Sequence, residues 1–436
     1  MATIRYVNDL GNGHSGYLTY DAIQVTTASG ATVTTQQNGP VGSDAFGRLR
    51  ISNPVTLFDS SHRYSENGHW SVSSGVGGTT TFNADQGLVE LAVTTSSGSK
   101  IYKETDRVFP YQPGKSLLVM ATFVMAPGQT NLRQRVGYFG SGNGIYYQMS
   151  GNTAAFVKRT SISGSVTETV VTQSNWNEDK LDGTGPSSVS FDATKAQIFW
   201  TDIEWLGVGR VRTGFVINGT FIHCHSFDHA NLIDTTYMTT ASLPVRYEIE
   251  ALNTLTSAAT LKEICSTVIS EGGYELRGDA YSISTPLSTP RTFTASGTFY
   301  PIASIRLKTS PNRLDGVVIP NAIAMLGQGN NGVFHWKVVK GATTSGGTWT
   351  SAGSSSCIEY NLSGTSYSGG TDLAAGFITA SNQVSTALEL PTEQLFRYQL
   401  ERNSFTSTPY ELTFVAASKA AADTAYASLN WEEVTQ

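Results

Sequence analysis

Three histidines close the run Thr220-Phe-Ile-His-Cys-His-Ser-Phe-Asp-His229. Neutral imidazole nitrogens are good ligands for transition metals, and residues two apart on a strand share a face. His223 and His225 meet that condition, and Asp228, His229 and Asp234 follow in a polar loop. No carboxylate stands at a clearly matching position, however, and Cys224 points to the opposite face. The reading adopted is a packed strand end without metal, with His223, His225 and His229 as the only ligand candidates, and no cofactor.

A second group is acidic. Asp202 and Glu204 alternate in Phe199-Trp-Thr-Asp-Ile-Glu-Trp205, which resembles the Glu-x-Asp-x-Glu strand of retaining endoglucanases built on lectin-like sandwiches. That reaction needs a nucleophile and an acid/base about 5–5.5 Å apart, and Trp200 holds the nucleophile's place. Asp202 and Glu204 are therefore expected to pair with Arg210 and Arg212 on the adjacent strand, where each cross-strand pair contributes ~0.2–1 kcal/mol and helps fix register. Stacking on sugar rings is a third chemistry. Its candidates are Tyr146, Tyr147, Trp176 and Trp349, each of which could instead be a core or interface residue. Arg277-Gly278-Asp279 matches an integrin-binding tripeptide, but so short a match arises by chance. Neither a phosphate-cradling glycine loop nor a strand-to-helix nucleophile elbow occurs.

Strands must position these residues. Val208, Arg210, Arg212 and, past Gly214, Val216 alternate along one strand; Asn218-Gly219 is a strong signal for a two-residue type I′ turn, and Thr220–His225 returns. Similar short strands, among them 87–95, 116–125, 134–139, 144–149, 167–172 and 196–205, recur with Gly, Asn and Pro turns and almost no helical period. The fold class expected is all-β. A large β-sandwich of jelly-roll or lectin-like type spans 56–279. A Ser/Thr/Pro linker follows at 280–290. A smaller C-terminal β-sandwich spans 291–436, with strands at 298–308, 315–326, 332–340, 357–361, 395–402 and 411–416. Within it, 419–429 is either an Ala-rich helix or a loop before a strand at 428–434. Residues 1–55 read as an extended assembly arm with one or two strands, since the Gly-, Thr- and Gln-rich run at 26–39 cannot form a core alone. Phe46 and Leu49 would anchor it and Arg48 and Arg50 would pair with acidic groups on a neighbour. The alternative is that the segment packs on its own domain.

Composition narrows the function. Charged residues make up 14% of the 436, against roughly 25% in ordinary soluble domains, while Gly, Ser and Thr abound. A net charge of −6 argues against a phosphate-binding surface, so nucleic acid is not expected as a direct partner. Cys224, Cys265 and Cys357 are far apart and read as small buried hydrophobes. With no run of ~18 apolar residues and no signal-peptide pattern at the first residues, the expectation is a chain made in a cytoplasm without membrane insertion.

Three stretches carry a resemblance to known proteins: Gly39–Ser60, with Asp44-Ala-Phe-Gly-Arg-Leu-Arg-Ile-Ser52 at its centre; Asp202–Asn231; and the C-terminal Thr348-Trp-Thr-Ser-Ala-Gly-Ser and Ala427-Ser-Leu-Asn-Trp-Glu-Glu433. They resemble virion structural proteins of tailed bacteriophages, particularly of cyanophages and marine phages. The resemblance implies a non-enzymatic, self-associating component of the particle, a trimer or a copy in a symmetric assembly. It would be assembled in the host bacterial cytoplasm and would dock on capsid or tail proteins through its N-terminal arm. The alternative it leaves open is a tail-fibre or receptor-binding module for host surface glycans.

Overall fold

The computed structural model describes residues 54–273, 278–329, 332–380 and 399–435, together with four strands nearer the start. Those four, Ile4–Asn8, His14–Thr19, Ala22–Thr26 and Thr32–Gln36, pair consecutively as an antiparallel meander. The expected count of one or two strands is corrected here: four strands pair with one another. The chain divides into two compact units, 1–274 and 275–436.

In the first unit two antiparallel sheets form a sandwich. One runs in the order Thr220–Phe227, Val211–Ile217, Gln197–Ile203, Ser116–Val124, Ala259–Glu271, Leu88–Val93, Thr79–Asn83, with Val55–Ser61 also on Ala259–Glu271. The other runs Thr167–Thr172, Thr153–Thr160, Gly144–Ser150, Leu132–Phe139, Val245–Ala251, Lys100–Thr105, Trp70–Ser74. Alternation decides which side chains enter the interlayer. The long strand Ala259–Glu271 shows how a bulge resets it: residues 259, 261 and 263 are buried, then 266, 268 and 270. The phase changes where its pairing with Ser116–Val124 shifts register at Thr122/Phe123. Aromatics fill the interlayer, with Phe156 stacked on Trp176 at 4.3 Å, Phe123 stacked on Tyr147 at 5.8 Å and Phe191 tilted against Phe215 at 4.2 Å. Each of the fully buried ones contributes about 1.5–3 kcal/mol.

The second unit is a smaller two-sheet assembly. Thr424–Thr435 is flanked by Val317–Gln328 on one edge and by Asp279–Ser284 and Arg291–Thr292 on the other. A seven-stranded sheet runs Thr350–Ser351, Ile358–Asn361, Tyr300–Leu307, Glu411–Ser418, Val333–Ser345, Ser366–Ser368, with Thr371–Thr379 also on Val333–Ser345. Ile305, Phe334, Trp336, Phe414, Leu429 and Trp431 are in its core. The expected linker at 280–290 is corrected in its first half: Tyr281 pairs with Trp431 and Ile283 with Leu429, so residues up to Ser284 belong to a strand of this unit. Alternating Tyr281 and Ile283 carry the strand to Ser284, and the turn that Pro286 and Pro290 signal follows it, closed by the Thr289 amide on the Pro286 carbonyl. The boundary accordingly falls at 274/275. No helix forms at 419–429; a turn leads into the last strand. Of the expected strand at 395–402, residues 399–402 are not in a strand apart from a bridge of Arg402 to Pro409.

Candidate functional site

The residues singled out by the sequence in the large sandwich, together with a charged layer it did not single out, lie mainly on the outward faces and at one end. In Gln197–Ile203, Phe199 and Ile203 enter the core, so Trp200 and Asp202 point the other way. Both are nevertheless only 1% exposed. Trp200 packs against Phe221 and His223, over Gly214. A Cβ at Gly214 would stand 1.9 Å from the Ile222 carbonyl oxygen and 3.0 Å from the Trp200 ring, so only glycine fits there. Asp202 accepts a hydrogen bond from the Arg212 guanidinium directly across the ladder. This half of the expected pairing holds. Arg210, just ahead of the strand, pairs instead with exposed Asp228 at 2.5 Å, and Glu204 is fully buried.

The hairpin turn is as expected, with Asn218 at φ 51° and Gly219 at φ 78°. The return strand departs from expectation. A bulge at Thr213/Gly214 sets Thr213 opposite His225 and Gly214 opposite His223, leaving Cys224 as the extra residue. His223 and His225 therefore do not share a face. His223 bonds Ser226 Oγ at 2.9 Å on the outward side. His225 lies on the side of Thr213, its Nδ1 accepts the Asn177 amide, and its ring meets Phe227 edge-on. His229 lies elsewhere, stacked on Tyr237 at 4.0 Å, with Nδ1 donating to the Gly209 carbonyl and Nε2 bonded to Lys158 Nζ at 2.9 Å.

Burial holds all three rings neutral. Burial lowers His223 to about 3 with Arg212 adding to the effect, and lowers His225 and His229 to about 4. Among the described residues no group of three His, Cys, Asp or Glu side chains is arranged to hold a metal ion.

The outward face of the second sheet was not singled out by the sequence. Arg135 reaches Glu248 and Glu250, each at 2.6 Å; Arg133 bonds Glu250; Lys100 bonds Glu248 at 2.9 Å; and Arg246 bonds Glu104 and Glu248. Arg159 pairs with Glu168, to which Tyr146 donates its hydroxyl hydrogen. Beneath this layer lies a small apolar cluster of Phe139, Tyr146, Ala155 and Val157. The Arg159 guanidinium lies over Phe139 and Tyr146, and that of Arg246 lies 3.7 Å over Tyr102. A signal existed in the period-2 charges of Arg133/Arg135 and Arg246/Glu248/Glu250, but which strands neighbour one another had to be known to read it.

Of the four aromatics proposed for sugar stacking, Tyr147 and Trp176 are corrected to core residues, at 0% and 2% exposure. Tyr146 is buried under Arg159, its hydroxyl pushed up to about 12 mainly by burial. Trp349 is half-buried, with the Arg306 guanidinium 3.9 Å over its ring. Cys224 and Cys357 are buried thiols and Cys265 is half-buried. Phe46, Arg48, Leu49, Arg50 and Arg277 lie outside the described residues.

No family profile and no curated protein matches the chain. Solved structures do. A β-glucanase of Bacillus licheniformis is 12% identical with a TM-score of 0.33, covering 48% of this chain and 96% of that one. The carbohydrate recognition domain of Emp47p is 10% identical, TM-score 0.33, covering 52% and 99%. A legume lectin-like domain from Entamoeba histolytica is 8% identical, TM-score 0.29, covering 49% and 97%. The fold itself, antiparallel sheets packed as a sandwich, is given by the strand pairings, and enzymes and binding proteins alike are built on such folds. Among the described residues no helix is long and apolar enough to cross a membrane.

Proposed function

We propose that this chain is a non-enzymatic structural component of a tailed-phage particle, self-associating and docked onto capsid or tail through its first 55 residues. One observation supports it most: on the outward face that carries the Trp200–Asp202 strand, the place a glycosidase nucleophile would take is filled. A buried Trp200 stands where a glycosidase nucleophile would be, and Asp202 is bonded to Arg212. The other outward face carries a layer of mutually paired charges, which suits a rigid structural role. The three stretches resembling phage virion proteins supply the setting.

The test has two arms. Purified chain incubated with host-envelope polysaccharides, with and without divalent metal, is expected to release no oligosaccharide; release abolished by Asp202→Ala or Glu204→Ala would overturn the non-enzymatic reading. Antibody to the chain is expected to decorate intact particles in a regular pattern, and a version lacking residues 1–55 should fold yet stay off them. Normal incorporation of the truncated chain would remove the docking role.

A further inference from the structure

At one end of the large sandwich an amine meets an imidazole. In Thr153–Thr160 the side chains of Ala154 and Phe156 enter the core, so Lys158, two residues on, lies on the same side and reaches the end of the interlayer. The other sheet supplies His229, just beyond its strand Thr220–Phe227. Lys158 Nζ and His229 Nε2 are 2.9 Å apart. The imidazole is held in place twice over: Nδ1 lies 2.7 Å from the Gly209 carbonyl oxygen, and the ring is stacked at 4.0 Å and 5° on Tyr237, whose amide donates to the Gly207 carbonyl. A carbonyl only accepts, so Nδ1 carries the hydrogen and Nε2 presents its lone pair to the lysine. Nζ stands 5.9 Å and 6.0 Å from the centres of the Phe227 and Tyr237 rings, and among the described residues no carboxylate pairs with it. Asp228, beside His229 in the chain, is taken by Arg210. An ammonium here brings three donors to one acceptor, and half-burial without an anion favours the neutral amine, lowering Lys158 below the ordinary 10.5.

We infer that Lys158, with His229 as its fixed proton acceptor, is a nucleophilic amine that captures small aldehydes, the open-chain form of an aldose among them, as an imine. The Nζ lone pair attacks the carbonyl carbon, and the C–N bond forms as the π pair of the carbonyl moves to oxygen. His229 Nε2 relays both nitrogen protons in turn to that oxygen, which leaves as water, so amine and aldehyde give an imine and one water. The class of electrophile follows from the surroundings. Acyl transfer needs donors aimed at a developing oxyanion, whereas the groups around Nζ are an imidazole and two rings. An imine needs only a free amine and a proton relay. The capture is stoichiometric, so it is compatible with a chain that turns over no substrate.

The test is reductive alkylation of the full chain at neutral pH with glyceraldehyde, a small aldose, and cyanoborohydride, which adds hydride to the imine carbon and fixes the adduct as a secondary amine. Peptide mass spectrometry then gives a rate for each lysine. Each unit by which an amine's pKa is lowered raises its neutral fraction about ten-fold, so Lys158 should be alkylated about ten-fold faster than the exposed Lys195. His229→Gln should reduce that ratio several-fold, and Lys158→Arg should remove the fast adduct with the thermal melt unchanged. A wild-type Lys158 rate equal to or below that of Lys195 overturns the proposal, and that comparison needs no variant. So does an undiminished ratio in His229→Gln, which would leave the imidazole no part in the reaction.

Discussion

Two groups of charged residues in the large sandwich solve the same problem in opposite surroundings. Between the sheets, Lys103 Nζ stands 2.8 Å from both Glu263 and Glu66, and His62 Nε2 lies 3.0 Å from Glu263. His62 Nδ1 accepts the Asn67 amide, so its Nε2–H donates to the carboxylate. The Lys103, Glu263 and His62 side chains are all fully buried. On the outward face of the second sheet, Arg135, Arg246 and Glu248 are almost as buried, but there each charge has several partners in a continuous layer. Inside, Lys103 and His62 meet on the single carboxylate of Glu263, with Glu66 as the one further partner of Lys103; outside, the load is shared. Redundancy, more than burial, should set the cost of losing a member.

The sharpest test of that contrast is Glu263→Gln. It strands an ammonium in the interlayer with only Glu66 opposite it, and breaking a buried pair typically costs about 3–5 kcal/mol. Urea unfolding of the large unit should shift by that order. A loss no greater than that of an outward-face substitution would erase the distinction between the two groups.

That interior group also marks where sequence reading stopped. The all-β class, the turn at Asn218-Gly219 and the Arg212–Asp202 pair were legible, because each rests on local alternation or turn chemistry. What failed required knowledge of register. The bulge at Thr213/Gly214 separated His223 from His225, and a strand-forming alternation at Tyr281 and Ile283 hid behind two prolines. Lys103 and Glu263 lie too far apart in the chain for any spacing to join them, and Tyr147 and Trp176 look the same in sequence whether they face sugar or core.

Acid should probe the outward layer. Burial alone would raise the Glu248 carboxyl, but Arg246, Arg135 and Lys100 outweigh it and hold the group at about 2, against an ordinary 4.5. A carboxyl depressed in the folded state contributes stability above its unfolded value and loses it as pH falls. The window is therefore pH 4.5 down to about 2. At about 1.4 kcal/mol per unit this contribution is on the order of 3 kcal/mol. Unfolding midpoints of the wild type should fall through that range, and Glu248→Gln should flatten the slope. Parallel curves for the two would mean that the layer's charges are not coupled to folding.

A smaller effect should follow from uncovering the cluster beneath the layer. Arg159→Met keeps the aliphatic stem but removes the guanidinium lying 5.4 Å and 5.2 Å from the Phe139 and Tyr146 ring centres. Tyr146 still donates to Glu168, so no acid is left without a hydrogen bond. The expected loss is about 1–2 kcal/mol, the value of a cation–π contact together with a charged hydrogen bond. A loss matching that of Glu263→Gln would show that the outward layer is no more redundant than the interior.

The smallest effect belongs to a pair that is neither buried nor redundant. Arg210 and Asp228 meet at 2.5 Å with side chains 39% and 42% exposed, so solvent and salt screen them and holding two side chains in place offsets part of the attraction. Asp228→Asn should cost about 0.2–1 kcal/mol, falling toward zero in molar salt, while the cost of Glu263→Gln stays nearly constant because salt does not reach the interlayer. The decisive measurement is the salt dependence of both variants side by side. Equal screening would mean that water and ions enter the space between the sheets, and that the Lys103–Glu263–His62 group is a solvated site instead of a dry one.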